Sequence, residues 1–363
     1  MQTPPASQGK QRLLALDVFR GLTIVGMIIA NSPNTFGQLS HAYWDGIMLA
    51  DLVFPFFIFI VGVAISLGLK KFDPAVSERG PLIKKILIRT LILFVLGMVV
   101  NLFYTHFSAI RVLGVLQRIA LVYCACSLMG LYLSQKQLIY SGIFILVSYW
   151  LLILLVPAPG LEAGTLERGE NIINWFDRFI PGMLWRGTWD PEGILSTYPA
   201  IVSGLIGMII GNIIRRNKDL KATVMLMFVV GFVCFISGYC WSFFFPFIKQ
   251  IWSSSFVLVT GGLASMLLAT LLWYTDIENA RRGTYVGQVF GANAITAYVL
   301  HVVLEKLFDL ELAGRTVHGS YVSFFETLGV NAVVSAGVWI AVFITICFLP
   351  IHAMYKRKFF VKI

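Results

Sequence analysis

A chain of 363 residues that is 58% hydrophobic and only 13% charged, with a mean hydropathy of +0.82, exceeds what a soluble core of that size can bury. The formal net charge of +10 lies mostly in short segments between apolar runs, which argues against nucleic-acid binding and indicates membrane orientation. The five cysteines form no CxxC pair and no Cys/His cluster with metal-ligand spacing. Neither a disulfide nor a metal site is therefore expected.

Apolar runs near the length of about 20 residues that a helix needs to cross a bilayer recur along the whole chain. Long uninterrupted runs favour helices over the short alternating strands of a closed barrel. The sequence predicts an all-α membrane protein, a polytopic bundle of about ten transmembrane helices that forms a single transmembrane domain over residues 1–363. The predicted spans are Leu13–Ser32, Ala50–Leu69, Ile83–Phe103, Val112–Leu133, Leu138–Val156, Leu195–Ile214, Ala222–Trp241, Ser254–Tyr274, Phe290–Phe308 and Asn331–Pro350.

Basic residues concentrate in alternate loops, and loops rich in Lys and Arg stay on the cytoplasmic side. The pattern predicts that both termini are cytoplasmic and that the segment Pro33–Leu49 and the long loop 157–194 lie on the other side. The predicted cytoplasmic segments carry Lys10, Arg12, Lys70, Lys71, Arg79, Lys84, Lys85, Lys136, Arg215, Arg216, Lys218, Lys221, Arg281, Arg282, Lys356, Arg357, Lys358 and Lys362. The opposite loops carry Arg111, Arg168, Arg178, Arg186, Lys249 and Arg315.

The loop 157–194 is rich in tryptophan and in acidic residues. Aromatic rings stack on the C–H faces of sugars, and carboxylates bind hydroxyls or amines, so the composition suits a sugar-binding surface. An aromatic belt at the membrane interface would have the same composition. Both interpretations stay open on composition alone.

Ionisable residues inside predicted spans are functional candidates, because an unpaired charge in hydrocarbon costs several kcal/mol. Asp17 and Arg20 lie three residues apart on the first span. They either pair with each other, or Arg20 faces the phosphates of a nucleotide cofactor that enters from the cytoplasm.

The start of the second span brings together two residues that suit acid–base chemistry. Asp51 follows His41 by ten residues, on the same predicted side of the membrane. The aspartate either caps its helix or orients the imidazole and raises its basicity. His41 itself is either a solvated loop residue or a catalytic base.

Two further spans carry polar residues. Gln117 and Arg118 lie near the start of the fourth span, where a buried arginine requires a carboxylate or an anionic ligand. Asn293 and His301, eight residues apart on the ninth span, are expected on similar faces of one helix. A buried histidine is more often structural than catalytic.

Several motifs in order along the chain resemble those of the heparan-α-glucosaminide N-acetyltransferase family, including its bacterial homologues. The last matching positions are Asn293 and His301, so the resemblance covers nearly the whole chain. The motifs are Leu16-Asp17-Val18-Phe19-Arg20-Gly21-Leu22, His41-Ala42-Tyr43-Trp44-Asp45-Gly46, Ala50-Asp51-Leu52-Val53-Phe54-Pro55-Phe56-Phe57, Val112-Leu113-Gly114-Val115-Leu116-Gln117-Arg118 and Asp190-Pro191-Glu192-Gly193-Ile194-Leu195.

The resemblance implies a transmembrane acetylation, in which the acetyl group of cytoplasmic acetyl-CoA passes to the amine of a glucosamine-type sugar on the far side. The active-site histidine of the family falls on His41. The resemblance also implies a bacterial inner-membrane enzyme and suggests a homodimer. The loop charges independently place His41 on the periplasmic side, and the apolar composition implies that membrane lipid surrounds the spans.

Within that reaction, His41 is expected to act either as general base or as acetyl acceptor. Asp51 is expected to orient it, and Asn31 to donate a hydrogen bond near the thioester carbonyl. Contact with acetyl-CoA is expected from Arg20, Gln117, Arg118, Asn293 and His301. Contact with the sugar is expected from Trp44, Asp190 and Glu192.

Two rival functions stay open. An amino-sugar transporter would line a permeation path with the same polar residues, although neither inverted repeats nor paired broken helices are visible in the sequence. An acyltransferase that uses a longer acyl group or a different glycan acceptor would share the catalytic residues. Transport predicts accumulation of unmodified sugar without acetyl-CoA, whereas an enzyme predicts amine-dependent release of CoA.

Overall fold

The computed structural model describes residues 13–32, 36–69, 78–105, 107–311 and 314–361. Within these ranges the regular structure is helical, apart from isolated β-bridges. The helices are α1 (Leu14–Asn31), α2 (Leu49–Gly68), α3 (Arg79–Tyr104), α4 (Val115–Tyr132), α5 (Gln135–Leu155), α6 (Ile172–Asp177), α7 (Ile194–Arg216), α8 (Leu220–Trp241), α9 (Ser254–Leu272), α10 (Tyr285–Ala292), α11 (Ala294–Phe308), α12 (Val317–Thr327) and α13 (Ala332–Lys356).

The number of membrane-spanning helices agrees with the hydropathy of the sequence. In the described residues, nine helices are long and apolar enough to cross a bilayer, and α10 with α11 makes up to ten if the bent pair is one span. The prediction of an all-α polytopic bundle of about ten spans is confirmed. The predicted residues Lys10, Arg12, Lys70, Lys71 and Lys362 lie outside the described ranges.

The ninth predicted span is broken, and this differs from the expectation of one continuous helix. The axes of α10 and α11 meet at 89° at Asn293, whose backbone leaves the helical region at φ −129°, ψ 46°. The Asn293 side chain donates to the carbonyl of Phe359 and accepts from the backbone N–H of Val361. Asn293 therefore belongs to a corner that holds the C-terminal tail, and it does not share a straight helix face with His301.

Glycines allow the closest helix contacts in the bundle. A Cβ at Gly62 of α2 would overlap the carbonyl oxygen of Gly204 in α7, and a Cβ at Gly21 of α1 would overlap that of Gly287 in α10. Membrane helices use small residues in this way because lipid supplies no hydrophobic force to press helices together. The contacts place α7 at the centre of the bundle. In its most apolar stretch of 18 residues 72% of the residues are buried, against 17% in the corresponding stretch of α8.

One end of the bundle is covered by loops that pack on each other. The connection between α5 and α7 contains the short helix α6, and a separate apolar cluster joins this connection to Trp44 and to the loop after α8. Trp44 stacks edge-on against Trp189 and donates its indole N–H to the carbonyl of Leu166. The described ends of the chain lie at the other end of the bundle, near Asp276 and Asn293.

Candidate active site

A cavity of about 650 Å³ opens at the loop-covered end of the bundle, within the range of ligand pockets. It lies where α1 and α3 end and where α2 and α4 begin, with α11 on one side. Its polar lining residues are Asn31, His41, Asn101, Tyr104, Arg111, Arg168, Arg186, Glu192, Lys249, Gln250, Tyr298 and Glu305. Its largest apolar ones are Met27, Phe54, Phe57, Leu116, Trp185, Trp189 and Trp252.

His41 is bound on one side by a charged pair. Its Nδ1 lies 2.8 Å from Oδ1 of Asp51 and 3.0 Å from Nζ of Lys249, which is itself 3.2 Å from the same carboxylate oxygen. Asp51 is fully buried, whereas 44% of the His41 side chain is exposed. When Nδ1 carries the proton and donates it to Asp51, the lone pair of the neutral imidazole lies on Nε2, which has no hydrogen-bond partner within the described chain. Lys249 can donate to Nδ1 only in the opposite tautomer.

The fold sets this geometry through the backbone around Asp51. Its second carboxylate oxygen accepts hydrogen bonds from the backbone N–H groups of Met48 and Ala42. The same side chain therefore caps α2 and holds the His41 loop in place. Both interpretations of Asp51 from the sequence therefore describe the same side chain. Burial lowers the pKa of the Lys249 ammonium, and the Asp51 carboxylate partly offsets this effect.

The loop after α8 is joined to the His41 loop by further hydrogen bonds. Gly46 donates its backbone N–H to Phe247, and the Gln250 amide donates to the carbonyl of Ala42. These contacts position Lys249 beside His41 across more than 200 residues of sequence.

Arg111 holds the two acidic residues of the Asp190-Pro191-Glu192 segment. Its Nε and Nη2 donate to both carboxylate oxygens of Asp190 at 2.9 and 2.6 Å, and Nη2 also lies 2.5 Å from Glu192. Burial opposes the charge on Arg111, but Glu192 and Asp190 outweigh it and raise the arginine pKa. Burial also opposes ionisation of Asp190, but the Arg111 hydrogen bonds hold its pKa below the usual range. Glu192 lines the cavity, and Asp190 lies behind it.

Arg118 is fully buried in the wall beneath the cavity, and no carboxylate of the described residues lies within ion-pair distance of it. It donates to the carbonyl of Gly193 and to the hydroxyl of Ser196, and it lies 4.8 Å from the ring centre of Trp252, which lines the cavity. Gln117 faces away from the cavity, toward Gly97, and its buried amide has no hydrogen-bond partner among the described residues.

Asn31 and His301 form a second polar contact at the cavity. The Asn31 amide lies 3.1 Å from Nε2 of His301, and the imidazole Nδ1 lies 2.5 Å from the carbonyl of Tyr298. Asn31 lines the cavity, whereas His301 is fully buried behind it.

Three predicted site residues lie elsewhere. Arg20 donates to the carbonyl of Gly291 at 3.2 Å and contacts Asp17 at 3.5 Å, at the end of the bundle where the described residues of the chain begin and end. Asn293 forms the nearby corner. Trp44 is buried beneath Trp189 and supports the rim of the cavity.

The site also contains residues that the sequence did not single out. Lys249 and Gln250 lie in a short loop, where an isolated lysine looks like a solvated charge. Tyr104 is the last residue of α3, and Tyr298 and Glu305 lie within α11. The spacing of Tyr298 and Glu305, seven residues apart on one helix face, is the one signal that connects two of them in the sequence.

The comparison with known families covers most of this site. The sequence model of the family "Heparan-alpha-glucosaminide N-acetyltransferase, catalytic" matches residues 12–239. The chain belongs to this family. It is similar to the heparan-alpha-glucosaminide N-acetyltransferases of Mus musculus, at 27% identity, and of Homo sapiens, at 26% identity. Each alignment covers 97% of this chain and 60% of the relative, so the chain spans about 60% of the length of these relatives.

The matched range includes Asn31, His41, Asp51, Arg111 and Glu192. Lys249, Tyr298 and Glu305 lie beyond its last matched residue. The cavity is thus built from the segment that the family model matches and from later helices that the longer alignments reach.

Proposed function

We propose that this protein is a transmembrane N-acetyltransferase that transfers the acetyl group of acetyl-CoA to the amine of a glucosamine-type sugar, with His41 at the reacting centre. The observation that carries the proposal is the 2.8 Å hydrogen bond between Nδ1 of His41 and the buried carboxylate of Asp51, at the wall of the cavity. A carboxylate in this position selects the tautomer with a basic Nε2 and stabilises the imidazolium that forms after proton uptake.

The proposed reaction forms an amide bond and breaks a thioester. In the direct route, Nε2 of His41 takes a proton from the sugar ammonium, and the neutral amine attacks the thioester carbonyl. The CoA thiolate leaves and receives that proton, and the new amide nitrogen loses its surplus proton to water. In the alternative route, Nε2 attacks the carbonyl first and CoA leaves, after which the amine displaces the acetylated imidazole. Both routes require the exposed nitrogen of His41.

The cavity has a suitable environment for the acyl donor. Met27, Phe54 and Phe57 supply an apolar wall for a pantetheine chain, and the Asn31 amide lies on the same wall, where it can donate to a developing oxyanion. Since the Asn31 amide also contacts His301, that histidine holds it in position. Arg118 supports the wall from behind through Trp252.

We also propose that the cavity faces the periplasm of a bacterial inner membrane, and that both chain termini are cytoplasmic. The support is the charge distribution, because the loops at the end of the bundle away from the cavity carry most of the basic residues. The acceptor sugar then enters from the periplasm, while cytoplasmic acetyl-CoA is the donor.

The experiment is a thiol-release assay on the purified protein in detergent, with acetyl-CoA and glucosamine. The proposal expects release of CoA that depends on glucosamine and is lost in His41→Ala. His318→Ala is the matched control, because His318 packs on Trp339 away from the cavity. Accumulation of unmodified glucosamine in vesicles without acetyl-CoA, together with no CoA release, would contradict the enzyme and support a transporter. Release of CoA with another acyl-CoA but not with acetyl-CoA would show that the acyl donor is not acetyl-CoA.

A further inference from the structure

The carboxylates around the cavity differ in how completely they are paired. Asp51 contacts His41 and Lys249 and accepts two backbone N–H groups. Glu192 lies 2.5 Å from Arg111, which also binds Asp190 through two hydrogen bonds. All three therefore have their charge compensated by neighbouring cations.

Glu305 is the exception among the carboxylates that the structure describes at this cavity. Its Oε2 is buried and has no hydrogen-bond partner. Its Oε1 is 3.9 Å from Nζ of Lys306, whose ammonium lies closer, at 2.9 Å, to Asp309. A carboxylate removed from water without a close donor is costly, and the Lys306 ammonium at 3.9 Å compensates the charge of Glu305 only in part.

The surroundings of Glu305 suit an amino sugar. Tyr298 lies two helical turns before it on α11, and both line the cavity. Tyr104, from the end of α3, lines the same part, and Glu305 lies within electrostatic range of its hydroxyl. Aromatic faces attract the polarised C–H groups of a sugar ring and a nearby cation.

We infer that Glu305, with Tyr104 and Tyr298, forms the subsite that binds the ammonium group of the acceptor. This inference rests on the proposed function and names the residue that selects an amine acceptor. Glu192 was the candidate from the sequence, but its carboxylate already has a partner in Arg111. The subsite holds the amine at the cavity wall, and His41 removes its proton.

A difference between two sugars isolates this interaction. Glucosamine carries the ammonium, whereas N-acetylglucosamine has a neutral amide in its place. In binding measurements on the full chain in detergent, Glu305→Gln is expected to weaken the binding of glucosamine by roughly 10- to 100-fold. This is the contribution of a hydrogen bond to a charged group. Binding of N-acetylglucosamine is expected to change less than about twofold, because an amide does not need the charge.

Two further variants exclude a structural explanation. Glu305→Asp keeps the carboxylate and is expected to retain part of the preference for glucosamine. Glu326→Gln removes an exposed carboxylate on α12 and is expected to leave both affinities unchanged. Without ligand, Glu305→Gln is expected to melt at the same or a higher temperature than the wild type, because it removes a charge that is only partly compensated.

Equal weakening of both sugars, or unchanged glucosamine binding in Glu305→Gln, would overturn the subsite, as would a wild-type protein that does not bind glucosamine. The proposed function is judged separately from CoA release. If the wild type binds glucosamine through Glu305 but releases no CoA, the subsite stands and the transferase fails. If the wild type releases CoA and Glu305→Gln has the same KM for glucosamine, the transferase stands and the subsite fails.

Discussion

The Lys249 ammonium lies 3.2 Å from the Asp51 carboxylate oxygen that also accepts from His41. Nδ1 of the imidazole therefore contacts both a negative and a positive charge. Glu192 and Arg118 are the next charged groups that act on Lys249.

Replacement of Lys249 by Met should lower the rate of CoA release. The Lys249 ammonium contacts both Nδ1 of His41 and the buried Asp51 carboxylate, so its loss leaves the carboxylate with less charge compensation and His41 with one contact fewer. We expect kcat to fall by roughly 10-fold, and Lys249→Arg to retain most of the activity. The measurement is kcat for CoA release, with Arg178→Met as a control in the loop between α6 and α7. An unchanged kcat in Lys249→Met would contradict a role for this charge.

The Arg111 pair with Asp190 should be strongly coupled in stability. Arg111→Gln leaves two buried carboxylates without their cation, and the loss of stability is expected to be about 3–5 kcal/mol. Addition of Asp190→Asn removes one of those charges, so the double variant should melt at a higher temperature than the sum of the single changes predicts. Melting temperatures of the four proteins in detergent measure this coupling. Additive shifts would show that the pair does not act as a unit.

Asp177 should make the protein less stable as the pH rises through the weakly acidic range. Burial raises the pKa of this carboxyl to about 7, against an ordinary value of 3.8. Between pH 4 and pH 7 the unfolded chain has therefore lost the proton that the folded protein retains, and the folded state becomes less favoured by at most about 4 kcal/mol. Asp177→Asn should flatten the melting temperature over this range. The exposed Glu162→Gln in the same loop should leave the slope unchanged, and a wild-type slope retained by Asp177→Asn would assign it to another group.

Two glycines of α2 should differ in their tolerance of a methyl group. Gly62→Ala places a Cβ onto the carbonyl oxygen of Gly204, and the helices must separate at an expected cost of about 1–3 kcal/mol. Gly68→Ala meets no atom within 4 Å and should be neutral or slightly stabilising. The melting temperature and the folded yield of both variants test the contact. Equal behaviour of the two would mean that α2 and α7 adjust freely.

Hydropathy was enough to predict the architecture, because each span carries its own signal within about 20 residues. The break at Asn293 escaped this reasoning. It contains no proline, and its cause is a tertiary contact with Phe359 and Val361, more than 60 residues later. Local sequence contains no information on such a partner.

The candidate site was predictable in part. His41 and Asp51 are close in sequence and on the same predicted side of the membrane, so their contact could be anticipated. Arg111 and Asp190 are 79 residues apart, and Lys249 reaches His41 across 208 residues, so neither pairing has a local pattern. Glu305 stands out only when the partners of the other carboxylates are known.

The corner at Asn293 ties the C-terminal tail to the helix pair that carries Tyr298 and Glu305. The Asn293 side chain forms two hydrogen bonds with the backbone of the tail, one as donor and one as acceptor. A change in the angle between α10 and α11 must therefore move the last described residues as well, or break both hydrogen bonds. A fluorophore attached near Phe359 would thus report movement of α11. The label lies at one end of the bundle, whereas α11 lines the cavity at the other end.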